Sequence, residues 1–565
     1  MYPRSFPHAI PVLPQGQRLQ IQAEYSQHAG ATVALAPRQA LHRGAAYAPR
    51  LVTQASYLAQ QPSSGAPAPY LTGTTILPQM KATPVGFAPT LAAVAPQASA
   101  SPFVAAIADP ELTDSDTLPS WDDLMARCEK KIEILRSRGD DVDLNSIALG
   151  DLENGTTNPF AKTRLFGKSP SDVRLTLYRD TNGWCGFCQK VWMYMEEKRL
   201  PYHLEKINLN AYGQKAEWFY KLNPKGLVPV VVLDGEVLVS SADIMKKLEL
   251  AFPEPPLIDS NAGGFQRMEK LYHLSTNLTS AVLSSMLGTM PISHLESVLD
   301  EFNKELLVSP GPYLMSKFTM ADIHFAPFME RGRACLLYCK GFNVCACPRW
   351  SAVANWMRAM ESRTAYIGTQ SDFFNLAHFM PPQVGKLAVE PTSLPFIAAV
   401  DGTDGSWKLP LAPSRLETLP SSPSGAVLAA MKMTANNERL VRFGQRTGAQ
   451  GYTEAVDAAL RMAALALLTE EPLLPPLPKI YFNSMDGRRA AAHACRYIRD
   501  RVGVPRDMRL DAARHLRAAL NLVLQSLGFD PLVKDFEPAV RGSTTLTYTP
   551  TGSKPADDLR SMVKK

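Results

Sequence analysis

The sequence predicts an α+β protein, and three observations lead to that reading. Over residues 172–258 the apolar spacing switches between the period-two pattern of strands and the helical period of about 3.6. An Asp234-Gly235 pair stands between the apolar runs "LVPVVVL" and "EVLV", the signature of a tight hairpin. Residues 265 to about 380 carry helical patterning and no convincing strand.

Taken in order, residues 1–115 are rich in Ala, Pro, Gln and Ser without periodicity, a composition that reads as disordered. The same stretch is acid-poor and contains Arg and Ser, as organellar transit segments do, so both readings stand. A helix is expected over 118–140, where Ser120 and Asp123 form a capping box and Leu124, Cys128, Ile132 and Leu135 recur at helical spacing.

From Val173 the run "VRLTLYR" predicts a strand, and a helix then begins at Cys185 and Cys188, with Phe187, Val191 and Met195 along one face. A second strand is expected over about Tyr202–Leu209 and a helix from about Lys215 to Leu222, ending before Asn223-Pro224. The hairpin follows, and Ser240 with Asp243 is expected to cap another helix. The order β-α-β-α-β-β-α is a thioredoxin-like layout.

Residues 265–385 predict an all-α domain, in which Thr319 and Asp322 cap the mostly apolar helix of "KFTMADIHFAPFMER". Residues 386–425 contain Pro and Ser and read as a linker. An additional all-α region, 426–530, holds candidate helices near 426–443, 453–468, 487–501 and 510–527. In the last, Leu510, Ala513, Leu520, Leu524 and Leu527 mark one face while Arg514 and Arg517 add charge. Residues 543–565 read as a polar tail.

Charge excludes one class of function. The formal net charge is +6, but residues 1–108 alone hold six Lys and Arg against the single acid Glu24. The rest is near neutral and shows no basic stripe, which argues against nucleic-acid binding. No apolar run reaches the ~18 residues a membrane helix needs. Eight cysteines in 565 residues, with no signal peptide recognisable at the start, point to a reducing compartment rather than to a disulfide framework.

In that setting Cys185 and Cys188 suggest redox or metal chemistry. At the first turn of a helix, unpaired N–H groups and the positive end of the dipole favour a thiolate. Such placement lowers a thiol pKa from about 8.5 to between about 3.5 and 7.5. Cys188, one turn on, could resolve a mixed disulfide. A structural zinc site normally needs two such pairs. The other cysteine group spaces Cys335 and Cys339 as core residues and Cys345-Ala-Cys347 unlike a zinc knuckle, so no metal is expected. Pro229 at the head of a strand cannot donate to the ladder, which gives it another use.

Several motifs in order, "WCGFC", "INLNAYGQKAEWFYKLNPKGLVPVVVLDGEVLVSSADI", "FTMADI" and "PRWSAVANWMRAMESRTAY", make residues 172–385 resemble the glutathione transferases. The likeness is greatest to their cysteine-type members: omega class, lambda class and dehydroascorbate reductases. The 420–530 region, with "VGVPRDMRLDAARHLRAALN", resembles C-terminal extensions of algal proteins of this kind.

The resemblance implies glutathione as co-substrate and a thiol transferase or reductase activity on a small disulfide or electrophile. It makes Cys185 the nucleophile and Lys215 a residue that helps hold glutathione. Val228, before a cis Pro229, would pair its backbone with the cysteinyl part, and Ser241 would bind the γ-glutamyl carboxylate at a helix N-terminus. Ser240 stands where the family usually has an acid, and Gly186 where it has proline. A homodimer is implied too, in the cytoplasm, or in a plastid or mitochondrion if the tail is a transit peptide. The alternatives are glutathione conjugation, with Tyr178 as the nearest hydroxyl, and a non-catalytic binding or assembly module.

Overall fold

The computed structural model describes residues 112–114, 118–139, 161–259, 263–412, 414, 416, 423–469, 474 and 476–534. Nearly all of the tail read over 1–115, parts of the 386–425 segment and the whole 543–565 tail lie outside them.

Helix α1, Trp121–Ser137, begins where the capping box predicts. The Asp123 amide donates to Ser120 Oγ at 3.1 Å and the Ser120 amide to the Asp123 carboxylate at 3.0 Å. Its buried stripe is Leu124, Cys128, Ile132 and Leu135.

A mixed five-stranded sheet follows, built from β1 (Thr163–Arg164), β2 (Leu175–Asp180), β3 (Tyr202–Ile207), β4 (Val230–Leu233) and β5 (Glu236–Val239) in the order β1-β3-β2-β4-β5. Strands β2 and β3 are parallel, joined through helix α2 (Gly186–Glu197), and the other neighbours are antiparallel. The short β1 was not legible in the sequence; a two-residue edge strand leaves too little pattern to read. The hairpin turns at Asp234 and Gly235, both with positive φ (49° and 87°), as a two-residue turn of this hand requires.

Helices α3 (Glu217–Leu222) and α4 (Ser241–Ala251) complete this thioredoxin-like unit. Helix α3 starts at Glu217, so Lys215 precedes the helix instead of opening it. The expected Ser240 cap does not form: Ser240 has φ 70° and makes no side-chain cap. An N-cap side chain reaches its amides from an extended backbone, and Ser240 does not have one.

The helical half comprises α5 (Gly264–Leu287), α6 (Ile292–Leu307), α7 (Met320–Lys340), α8 (Ser351–Glu361), α9 (Thr364–Thr369) and α10 (Phe373–Phe379). Almost every residue of α7 is buried, as its apolar sequence predicts. Within the segment read as a linker, Leu394–Asp401 forms helix α11, and Leu387, Ile397, Val400 and Trp407 are buried in the same core. The prolines there had masked a short helix that tolerates Pro395 in its first turn.

A second hydrophobic core unites α1 with α12 (Pro423–Ala435), α13 (Asn437–Gly444), α14 (Thr453–Leu468), α15 (Met485–Arg499) and α16 (Leu510–Ser526). The single helix expected over 426–443 is therefore two. Trp121 Nε1 donates to Asp457 at 2.7 Å, and Arg461 Nη1 to the Leu118 and Pro119 carbonyls at 3.4 and 3.2 Å, which fastens α1 to α14. Arg514 and Arg517, read as charge added to the face of α16, are both buried in fact. Arg517 forms an ion pair with Asp372, and Arg514 Nη2 donates to the Ala412 carbonyl at 3.0 Å.

Candidate active site at the head of helix α2

Strand β2 ends at Asp180, and the loop Thr181–Trp184 delivers Cys185 to the N-cap position of α2. The backbone of Cys185 is extended, and its Sγ accepts the Cys188 amide at 3.4 Å. On the other side Sγ lies 4.0 Å from the Val228 carbonyl, to which the thiol donates. The Val228-Pro229 peptide is cis and leads into β4. Cys185, Cys188, Val228, Ile207, Phe219 and Val230 form one apolar cluster, with Tyr178 and Phe187 packed on it.

The two cysteines are unequal. Cys185 is 7% exposed and Cys188 1%. Burial pushes the Cys188 thiol well above its ordinary value, and the neighbouring Cys185 and the charge of Asp180 act in the same direction.

Lys215 is half-buried and bonds to Asn210 Oδ1. Burial pulls its ammonium below the ordinary lysine range, and its interaction with Cys185 and Cys188 opposes that shift. Ser240 is exposed and Ser241 half-buried at the head of α4; among the described residues no hydrogen bond joins either to the cysteines. The structure thus brings Cys185, Cys188, Val228 and Pro229 together, sets Lys215 within their electrostatic reach, and places the serines at a neighbouring helix end.

Around this group lie residues that sequence reasoning missed. Asp180 is fully buried: one carboxylate oxygen accepts the Trp184 amide at 2.7 Å, and Oδ1 has no hydrogen-bond partner among the described residues. Ligand atoms of Asp180, Cys185 and Cys188 lie within 4.8 Å of one another, and they are the group among the described residues that could hold a metal ion. Two sulfurs and a carboxylate suit zinc and would leave one tetrahedral position open.

Arg331 of α7 reaches across, donating to the Trp184 carbonyl at 2.7 Å and to Gln189 Oε1 at 2.7 Å. Gln189 Nε2 donates to Glu330 at 2.8 Å. Charges in the middle of an apolar helix were the available signal for Glu330 and Arg331.

Lys190, on α2, is 5% exposed. Its ammonium sits 5.5 Å from the Phe187 ring centre and 5.1 Å from that of Phe328, and no ion pair to it exists among the described residues. Burial and the nearby Arg331 bring it down to about 7.

Residues 184–251 match the model for the glutathione S-transferase N-terminal domain. Over those residues the chain is similar to glutathione S-transferases. Glutathione S-transferase DHAR3, chloroplastic, of Arabidopsis thaliana is 29% identical over 198 residues, 34% of this chain and 70% of that protein. Glutathione S-transferase DHAR2 of the same plant is 29% identical over 194 residues, 34% of this chain and 86% of its own length. Among solved structures, glutathione transferase Omega 3C from Trametes versicolor is 27% identical, covering 35% of this chain and 85% of its own, with a TM-score of 0.31. These relatives are enzymes by name, and each spans about a third of this chain. No described helix is long and apolar enough to cross a membrane.

Proposed function

We propose that this protein is a glutathione-dependent thiol transferase or reductase in which Cys185 is the nucleophile. The observation that carries the reading is the position of Cys185 Sγ, which accepts the first-turn amide of Cys188 and faces the Val228 carbonyl beside the cis-proline. Relatives named for glutathione transfer support glutathione as co-substrate.

Cys185 thiolate attacks the glutathione-side sulfur of a mixed disulfide. The S–S bond breaks, the leaving thiolate takes a proton, and Cys185 carries glutathione as a mixed disulfide. A second glutathione thiolate attacks that sulfur, releasing glutathione disulfide and restoring Cys185. The sum is one mixed disulfide and one glutathione converted to one thiol and one glutathione disulfide. Cys188 could resolve the adduct instead, but burial keeps it a thiol at neutral pH and the attacking species is the thiolate. The monothiol route is therefore the one proposed.

Lys215, the Val228 backbone and Ser241 would hold glutathione. The first turn of α4 lacks a serine cap, so its free amides suit the γ-glutamyl carboxylate. Ser240, exposed and with φ 70°, stands beside Ser241 at the same helix end and is proposed with it as part of the glutathione site.

The test is reduction of hydroxyethyl disulfide by glutathione, comparing wild type, Cys185→Ser and Cys188→Ser. Activity should vanish in the first variant and persist in the second. Loss in both would replace the monothiol route with a dithiol cycle. A wild type that neither turns over nor binds glutathione would sink the enzyme reading and leave a glutathione transferase fold used as a module, which the burial of Cys185 would then explain.

A further inference from the structure

We propose that the loop Val502–Arg506 of the second core is a working part of the cysteine site, and that Val504 and Arg506 are positioning residues for Cys185. The motif "VGVPRDM", remote in sequence, lies against the loop that delivers the nucleophile. Trp184 Nε1 donates to the Val504 carbonyl at 3.1 Å. Arg506 Nη1 donates to Asn182 Oδ1 at 3.1 Å, and its guanidinium lies 5.8 Å from the Trp184 ring centre. Between them Gly183 has φ +78°, and a Cβ there would come 3.1 Å from Pro505 Cγ.

The Val502–Arg506 loop is itself held rigidly. The Val504 amide donates to Asn375 Oδ1 at 2.6 Å, and Asn375 Nδ2 to the Val502 carbonyl at 3.1 Å. Ser371 Oγ donates to the Val504 carbonyl at 2.5 Å, and the Gly503 amide to Asp507 at 2.7 Å. Arg506 also binds Asp507 at 2.7 Å and the Arg501 carbonyl at 2.7 Å, which fixes its reach toward Asn182.

The consequence falls on Trp184, the residue before the nucleophile. Its amide is held by Asp180, its carbonyl by Arg331 and its ring nitrogen by Val504, while the ring stacks on Phe379 at 4.8 Å. The last of these polar anchors comes from outside the glutathione transferase unit. A nucleophile whose attack depends on geometry loses rate when its support loosens. The second core therefore completes the site and does more than accompany it.

The inference rests on Cys185 being the reactive group, and its test separates the two. In the full-length protein, Trp184→Phe removes the ring donor to Val504 and keeps an aromatic ring against Phe379, while Arg506→Ala and Asn182→Ala remove the other contact from either side. The readouts are the pH profile of Cys185 alkylation by iodoacetamide, followed by peptide mass mapping, and kcat against KM for glutathione. Denaturant midpoints report folding. Trp184→Phe and Arg506→Ala should each lower kcat several-fold and displace the alkylation profile, with the unfolding midpoint nearly unchanged, and Arg506→Lys should restore part of the loss. Combining Asn182→Ala with Arg506→Ala should add little to either alone. Alkylation profiles that coincide with wild type, or effects that simply add in the double variant, would overturn the proposal. Absence of glutathione turnover in wild type would overturn the enzyme reading alone, because alkylation still reports how Cys185 is held.

Discussion

Arg517 of α16 and Asp372, which caps α10, form an ion pair with side chains 2% and 1% exposed. Asp372 heads a helix of the first hydrophobic core, and Arg517 reaches it from a helix of the second. Removing one partner strands the other as an unpaired buried charge, which typically costs about 3–5 kcal/mol. Arg517→Met should therefore lower the denaturant midpoint strongly, and the double variant with Asp372→Asn should recover part of the loss. Losses of the two single variants that simply add in the double variant would show that the pair is not coupled.

The buried thiols should be chemically silent. Burial pushes Cys128, Cys339 and Cys495 up to about 12 and raises Cys188 and Cys335 as well. Treatment of the native protein with iodoacetamide at neutral pH should leave all five unmodified, and unfolding should expose them together. Native labelling of Cys188 at the rate of a free thiol would contradict the monothiol route, because its thiolate would then be available.

Lys190 gives a pH signature. Its folded value, about 7, lies below the ordinary lysine value of about 10.4. Between the two, the unfolded chain holds the proton and the folded chain does not, so this group makes stability rise with pH across that window. Below about 7 both states are protonated and the cost of burying the charge is present in full. Lys190→Met should stabilise the protein most below that point and progressively less toward alkaline pH. Denaturant midpoints taken on either side would show it; a margin independent of pH would refute the assignment.

Asp322 is a structural acceptor at the head of α7. Its carboxylate accepts the Leu314 and Thr319 amides at 3.0 and 2.9 Å and Trp356 Nε1 at 2.9 Å. Asp322→Ala would leave three buried donors unpaired, each costing about 1–3 kcal/mol. The variant should fail to fold or melt far below wild type by calorimetry, and a small change in melting temperature would show that other groups take over the donors.

The thioredoxin-like unit was legible because its signals are local: alternation in "VRLTLYR", the Asp234-Gly235 turn and the two cysteines at a helix start. The capping boxes of α1 and α7 were legible for the same reason. What escaped depends on distant pairing. Nothing near Arg517 in sequence reveals Asp372, and nothing near Val504 reveals Trp184 or Asn375. Asp180 reads as the polar end of a strand until the fold places it beneath the cysteine loop. Ser240 reads as a cap because sequence does not carry its φ of 70°. Gly and Asp turns announce positive φ; a serine does not.

Helix α1 precedes the thioredoxin-like unit and its helical half in the chain, yet its partners α12 and α14 come after it. The second core is thus discontinuous, with the first nested inside it. During synthesis α1 emerges carrying an uncovered stripe of Leu124, Cys128, Ile132 and Leu135 and must wait for some three hundred further residues before its neighbours exist. The nested unit has all its own strands and helices by then and can fold first. A chain cut short after that unit would keep a transferase-like body but leave α1 with a bare apolar stripe, a target for chaperones and proteases. The bare stripe of α1 would thus mark any chain that lacks its last helices.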